Sequence, residues 1–322
     1  MYASRGYPGN CQKTISAIVA CYKDEEAIPI LYKRLTNIFK RLRVNHEIIF
    51  VNDGSPDHTE EILKKLVNKD SHVTAINHSR NFSSQMAFTS GMDLARGDAL
   101  VFLDGDLQDP PELIEKFYKK WSEGYDIVYG VRTKREAPYF LNIAYKLFYR
   151  IFNKISYIHI PLDAGDFSLI DKKVAVALKQ FPERDRFFRG LRAWVGFTQT
   201  GIPYTRPQRQ FGKTTNNLFK NFEWATKGIF AFSFVPLQLM TILSLIVFFI
   251  SLIAIVIQII LRLILPNVPQ GVTTVLVAIL FIGAIQMLGI SILGQYIAKI
   301  FEEVKQRPKY VVKSIFRKKL KQ

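Results

Sequence analysis

Three carboxylates within six residues close the stretch Leu100-Val-Phe-Leu-Asp-Gly-Asp-Leu-Gln-Asp-Pro-Pro-Glu112. The apolar run 99–103 predicts a fully buried strand. Pro110 and Pro111 then open a helix with Glu112 in its first turn, where negative charge is favoured. Asp104 and Asp106 stand two apart on the fraying end of that strand, so both side chains project to one side. Carboxylates aimed the same way suit a hard divalent cation, Mg²⁺ or Mn²⁺, which can itself hold a diphosphate. An Asp-x-Asp is also frequent in turns that merely stop a strand. Asp109 has only the duty of ending the loop before the prolines.

The elements that position this turn alternate. Strands are expected over 14–21, 47–51, 72–77, 99–103, 126–129, 167–170 and 196–204, with helices over 27–43, 59–68, 84–95, 111–122 and 172–180. Such alternation means an α/β fold with a doubly wound, mostly parallel sheet, in which ligands bind outside the carboxyl ends of the strands. Those ends carry Glu25, Asp53, Ser79 with Arg80, Asp104 with Asp106, and Arg132. One acidic turn is weak; five polar loops on one edge are a site. No Gly-x-Gly-x-x-Gly follows a strand, and Gly212-Lys-Thr214 has Pro207 where a phosphate loop needs its leading glycine.

The 322 residues carry a formal charge of +17, which calls for an anionic partner. Nucleic acid is disfavoured, because no zinc-finger spacing, basic zipper or RNP-like motif is present. Cys11 and Cys21 give no disulfide framework, and the polar stretch 1–13 reads as a tail without a cleavable signal. The runs 229–261 and 272–297 contain no charged residue, and each exceeds the roughly 20 apolar residues that cross a bilayer. Two transmembrane helices are therefore expected, over about 230–262 and 271–298. Lys and Arg crowd the tail 299–322 while the connector has one basic residue, which places both termini in the cytoplasm. The expected organisation is a catalytic domain over 14–210, a membrane hairpin, and a basic cytoplasmic tail. Aromatic and basic residues at helical spacing over 138–158 and 211–229 predict amphipathic helices at the membrane interface, with surface that could support self-association.

Taken together, these motifs resemble the family-2 glycosyltransferases that act on polyprenyl phosphates. Bactoprenol glucosyltransferases are the nearer kin and dolichol-phosphate mannosyltransferases the more distant. The resemblance rests on Tyr22 with Asp24-Glu-Glu26, Asn52-Asp-Gly-Ser55, Ser79-Arg-Asn-Phe82, Asp104-Gly-Asp-Leu-Gln-Asp-Pro-Pro111, Val128-Tyr-Gly-Val-Arg132 and Asp163-Ala-Gly-Asp-Phe167. Phe232-Ser233, Gly294-Gln-Tyr296 and Arg307-Pro-Lys-Tyr310 extend it through the apolar third. It implies a GT-A fold, a nucleotide-sugar donor with UDP-glucose foremost, a divalent metal, and inverting transfer to polyprenyl phosphate at a bacterial-type plasma membrane. By position it makes Asp104, Asp106 and Gln108 the metal and diphosphate group, and Tyr22, Glu25, Asp53 and Ser79 the nucleotide contacts. Arg206 and Arg209 match the basic loop over the donor diphosphate; Arg132, with Lys146 and Arg150, falls to the acceptor phosphate. Three departures stand out: Lys23 replaces a usual Asn, Gly212-Lys-Thr-Thr-Asn216 displaces an expected Lys and Tyr, and Gln295 replaces a frequent Glu.

The chemistry needs no strong base. A phosphate oxygen is already largely ionised near neutrality, its second pKa being about 6. Asp166 could position the acceptor or sugar, assist a monoanionic phosphate, or be a turn residue before a strand. Other donors (GDP-mannose, UDP-GlcNAc, an aminoarabinose derivative) and a non-catalytic scaffold binding nucleotide-sugar or lipid stay open. A polysaccharide synthase is disfavoured, since the chain lacks Gln-x-x-Arg-Trp and has too few membrane helices for a channel.

Overall fold

A computed structural model describes residues 13–133, 164–207, 211, 233–264 and 271–318. They divide into two compact units, the first drawn from Met1–Tyr149, Ile158–Asn217 and Pro308–Gln322, the second from Leu218–Arg307.

The first unit contains eight strands: β1 (Thr14–Cys21), β2 (Asn45–Asn52), β3 (Val73–His78), β4 (Ala99–Asp104), β5 (Ile127–Arg132), β6 (Ala164–Asp171), β7 (Gln199–Tyr204) and β8 (Val312–Arg317). They form one sheet in the order β7-β5-β6-β4-β1-β2-β3-β8. Strands β1 to β4 are mutually parallel, β6 runs antiparallel to β4 and β5, and β5 pairs parallel with β7. Strand β8 is antiparallel to β3. The carboxyl ends of β1 to β5 and β7 therefore reach the same edge as the amino ends of β6 and β8. This is the mostly parallel GT-A arrangement, and every functional loop opens on that edge.

Period-2 burial builds both faces. Ile15, Ala17, Val19 and Cys21 of β1 enter one core with Leu31, Leu35 and Phe39 of α1 (Ala27–Leu42), Leu63 of α2 (Thr59–Lys69), and Ile114 and Phe117 of α4 (Leu113–Ser122). On the other face lies α3 (Ser84–Leu94), whose Gly91 comes so near β1 that an added Cβ would stand 2.3 Å from Ile18 Cγ2. There Phe102 of β4 packs on Phe88 of α3 and Phe188, with ring centroids 5.6 and 4.6 Å away. Helix α5 (Lys172–Lys179) follows β6, and α6 (Phe188–Trp194) precedes β7.

Two elements were not expected from the sequence. Helix α6 has 7 residues, too few to establish a helical period. Strand β8 lies within the stretch read only as a basic tail. Lys313 and Arg317 dominate its appearance, but Phe316 packs against the core and the backbone pairs with β3. The tail reading is corrected there.

The second unit holds α7 (Val235–Ile264) and α8 (Val272–Val304). Their spans Val235–Leu261 and Val275–Val304 are strongly apolar, and their most apolar windows contain no buried residue. Both are long and apolar enough to cross a bilayer. They touch where Gly289 lies beside Met240, and Tyr296 donates its hydroxyl to the Ser233 carbonyl at 2.8 Å. Helix α8 runs past the expected end at 298 to Val304. The expected amphipathic helices over 138–158 and 211–229 lie outside the described residues, apart from Phe211, which packs against the core of the first unit.

Candidate active site

The acidic turn hangs from β4 by a tight backbone fit. Gly105 donates its N–H to the Ala20 carbonyl at 2.8 Å, and an added Cβ would lie 3.0 Å from Asp24 Oδ2. Leu107 is left-handed at φ 60° although it is not glycine, and its side chain is buried. Holding that conformation costs on the order of 1 kcal/mol or more, which the buried leucine offsets. The result fixes Asp106: its Oδ1 accepts the Gln108 N–H at 3.1 Å, and its Oδ2 faces Arg206 at 4.0 Å. Asp104 accepts no hydrogen bond among the described residues. Burial, then the negative charges of Asp106, Asp109 and Asp166, push its carboxyl well above the usual carboxylate range, with Arg206 acting the other way. An acid placed among acids in this way favours a cation.

Asp109 is not the loop terminator its position implied. It is almost wholly buried, its Oδ1 accepting the Tyr204 hydroxyl at 2.5 Å while Arg206 Nε and Arg132 stand 3.8 and 3.9 Å away. Arg132 also donates to the Tyr204 oxygen at 3.3 Å. Burial alone would lower the Arg132 pKa; Asp109 and Tyr204 outweigh it and raise it. Gly165 lets this guanidinium in, since a Cβ there would meet it at 3.1 Å. Arg206 Nε is buried with no hydrogen-bond partner among the described residues, a donor aimed into the acidic loop.

Asp166, at the amino end of β6, faces Arg189. Its Oδ1 accepts Nε of that arginine at 3.1 Å, and its Oδ2 accepts the Gln85 amide at 3.2 Å. Gln85 in turn accepts the Phe188 N–H at 2.7 Å. Burial would raise the Asp166 pKa, but Arg189, Arg192 and Arg132 hold it below the usual carboxylate range. A carboxylate held ionised is a poor proton acceptor. Its bonds to Arg189 and Gln85 tie those two side chains to the amino end of β6.

The register carries these groups across the edge. Asp104 pairs with Ala20, Cys21 with Asn52, and Asn52 with Asn77. Ser79, just past β3, thus lies three strands from β4, about 14 Å at strand spacing. It is exposed, and its N–H donates to the Val311 carbonyl at 2.9 Å. Asp53 is buried; its Oδ1 accepts the Phe82 N–H and meets His78 Nδ1, both at 2.8 Å. Between the first two loops opens a cavity of about 350 Å³, lined by Lys23, Asp24, Glu25, Asp57 and Phe211 among others. Glu25 ties the loops together by accepting the His58 N–H at 2.8 Å. Tyr22, half-buried, donates its N–H to Asp24 Oδ2 at 2.9 Å.

Comparison with known proteins decides the family. The Glycosyl transferase family 2 profile matches residues 16–178, covering β1 to β4, β5, β6 and the whole acidic loop. The chain belongs to glycosyl transferase family 2. Among curated relatives, the uncharacterized glycosyltransferase YkcC of Bacillus subtilis is 39% identical over 302 residues, 94% of each chain. The bactoprenol glucosyl transferase of Shigella phage SfV is 38% identical over 301 residues, 93% of this chain and 98% of its own. A crystal structure of glucosyl-3-phosphoglycerate synthase from Mycobacterium tuberculosis is 16% identical at a TM-score of 0.47, covering 68% of this chain and 78% of that one.

In this glycosyltransferase the sheet edge brings together Asp104, Asp106, Asp109, Asp166, Arg132 and Arg206, with Tyr22, Glu25, Asp53 and Ser79 further along it. Arg209, Lys146 and Arg150 lie outside the described residues. Sequence reasoning missed Arg189, Tyr204 and the burial of Asp109. Arg189 follows two phenylalanines in a stretch without periodicity, and Tyr204 ends a weakly patterned strand. No local pattern could have flagged the burial of Asp109, because the Tyr204 hydroxyl it accepts comes from 95 residues away. No group of three or more His, Cys, Asp or Glu suited to a metal occurs among the described residues. Asp104 with Asp106 fits the smaller requirement of Mg²⁺ or Mn²⁺, which are often held by one or two carboxylates plus substrate phosphates. Gln108 approaches Asp106 through its backbone.

Proposed function

We propose that this glycosyltransferase moves a sugar from a nucleotide-sugar, UDP-glucose foremost, to the phosphate of a polyprenyl phosphate at the cytoplasmic membrane face. The observation that carries the reading is the mixed charge of the strand edge: an acidic pair, Asp104 and Asp106, faced by the guanidinium of Arg206 and flanked by Arg132. A metal-binding acid pair among arginines suits two anions, the donor diphosphate and the acceptor phosphate, brought side by side. The bactoprenol named for the phage relative supports a lipid-borne acceptor, and α7 and α8 support a membrane setting.

Asp104 and Asp106 would hold Mg²⁺ or Mn²⁺, which when bound neutralises charge on the diphosphate. The chain's own residues do the rest. Arg206, with a buried donor already aimed into the acidic loop, stabilises the negative charge that develops as the sugar–diphosphate bond breaks. Arg132 takes the acceptor phosphate, supported by Lys146 and Arg150. One phosphate oxygen forms the new bond at the anomeric carbon as the nucleoside diphosphate leaves, giving inversion. Asp166 holds Arg189 and Gln85 in place and moves no proton. The nucleoside occupies the cavity at Glu25 and Asp57, with Asp53 and Ser79 beyond it.

Connectivity supports one membrane topology. The chain leaves the first unit after Asn217 and re-enters it at Pro308, so two crossings in between return it to the side it left. The basic residues of 299–322 make that side the cytoplasm. A panel of labelled UDP- and GDP-sugars, incubated with the full chain, polyprenyl phosphate and Mn²⁺ or Mg²⁺, tests the reading. Label should enter chloroform-extractable lipid, most from UDP-glucose; a panel with no lipid label removes it.

A further inference from the structure

Two lines of contact run from the C-terminal segment to the loop that follows β2. In the first, the Tyr310 ring stacks on the imidazole of His78, centroids 5.3 Å apart and planes 15° apart. His78 is buried; its Nδ1 meets Asp53 Oδ1 at 2.8 Å and its Nε2 meets Ser90 Oγ at 2.9 Å. In the second, Asn77 donates to Ser314 Oγ at 3.1 Å and accepts from Asn52 at 3.0 Å, and Asn52 accepts the Ser55 N–H at 3.0 Å. Both lines end in the four-residue turn Asn52-Asp-Gly-Ser55. The segment is held firmly where it starts. The Tyr310 hydroxyl donates to Asp93 and the Lys309 ammonium to the Phe181 carbonyl, each at 2.8 Å, while Lys313 pairs with Glu60 at 2.9 Å. The Ser79 N–H meets the Val311 carbonyl as well.

The turn so held leads straight into Pro56 and Asp57, which line the cavity on the nucleoside side of the site. Lys23 donates its N–H to Ser55 Oγ, and the cavity lies between these two loops. Asp53 cannot orient itself, because its Oδ1 is shared by the Phe82 N–H and His78. His78 and the Phe82 N–H together hold that carboxylate, and the ring of Tyr310 stacks on the histidine. None of this needs Tyr310 or Ser314 to touch substrate.

We infer that the segment Tyr310 to Ser314 is a positioning element of the donor site: it holds Asp53 and Asn52 in the geometry that binds the nucleoside diphosphate. The inference rests on the proposed nucleotide-sugar reading of that edge. The last strand of the chain, which follows α8 by a short link, thereby braces the loop after β2, whose Pro56 and Asp57 line the cavity.

The test uses the full chain in detergent with UDP and GDP as probes and Mn²⁺ present, by titration calorimetry and initial rates. Tyr310→Ala should weaken nucleoside diphosphate binding and raise the donor KM about tenfold, leaving kcat and the polyprenyl-phosphate KM within about twofold. Tyr310→Phe, which keeps the ring over His78, should recover most of that loss. Ser314→Ala, an exchange small enough to leave the strand paired, should raise the donor KM by about threefold through Asn77 and Asn52. Wild-type affinity and donor KM in both Tyr310→Ala and Ser314→Ala would overturn this inference alone. Equal falls in kcat for every donor and acceptor concentration would also overturn it, marking a merely structural strand. If the wild-type chain binds neither UDP nor GDP, the nucleotide-sugar reading fails and this inference with it.

Discussion

Asp166 shows how neighbours distant in sequence bear on a residue picked out by its motif. Its sequence position before a strand left open whether it orients, assists a proton or makes a turn. Arg189, which no local pattern singled out, pairs with the carboxylate and keeps it ionised, which supports the orienting role proposed above. Removing the acid takes from fully buried Arg192 the negative charge that faces it, so Asp166→Ala should destabilise the fold by about 3–5 kcal/mol, read by chemical denaturation. The pH dependence has a definite sign. A carboxyl with a depressed folded-state pKa stabilises fully above its unfolded value near 3.9 and loses that contribution as pH falls toward the folded value. The stability gap between wild type and Asp166→Asn should be widest near neutrality and close as pH falls below the unfolded value. A gap independent of pH would contradict the ion-pair account. Asp104, Asp106, Asp53 and Arg132 were all legible, because strand ends with charged residues are conspicuous against apolar runs. Asp109 was not legible, since its partner Tyr204 lies 95 residues away.

At the scale of elements, the loops depend on backbone fits that side-chain chemistry does not reveal. Gly54 adopts φ +66°, and a Cβ there would stand 2.4 Å from the Arg80 carbonyl carbon. No side chain can give way at that point, because the obstacle is backbone. Gly54→Ala should therefore cost at least about 1–3 kcal/mol and weaken nucleoside diphosphate binding, as the β2 and β3 loops are pushed apart. Melting temperature and calorimetry with UDP check this; an unchanged affinity would mean the two loops bind independently. The strands and long helices were readable because their periods, 2 and 3.6, repeat over enough residues. Strand β8 was hidden by its charges. An edge strand faces solvent on one side and tolerates Lys and Arg there, so its pattern looks like a tail. Helix α6, at 7 residues, never completes two turns.

For the whole molecule, the return of the chain to its starting domain constrains both topology and experiment. A cut before α7 would remove β8 along with the apolar helices and bare the edge of β3, so a soluble truncation is not a neutral probe of the hairpin. Labelling of the intact chain is better. With Cys11 and Cys21 replaced by alanine, single cysteines at Lys13, Gly271 and Lys305 can be offered a membrane-impermeant maleimide on intact cells. Only Gly271→Cys should react before permeabilisation, and the other two only after it; reaction of Lys13→Cys and Lys305→Cys on opposite sides would break the two-span topology. Hydropathy alone announced the helices, while the docking of residues beyond them depended on contacts across more than 200 residues of sequence, such as Tyr310 with Asp93.

The central claim is that the acidic turn after β4 carries a sugar to a lipid phosphate. Its most direct test is the rate at which the purified full chain transfers radiolabelled glucose from UDP-glucose into polyprenyl phosphate with Mn²⁺, compared with folded, membrane-bound Asp106→Asn. Label should appear in the organic phase with the wild type and fall on the order of 10²–10³-fold in the variant. Equal transfer by the two proteins, or lipid label from neither, would contradict it.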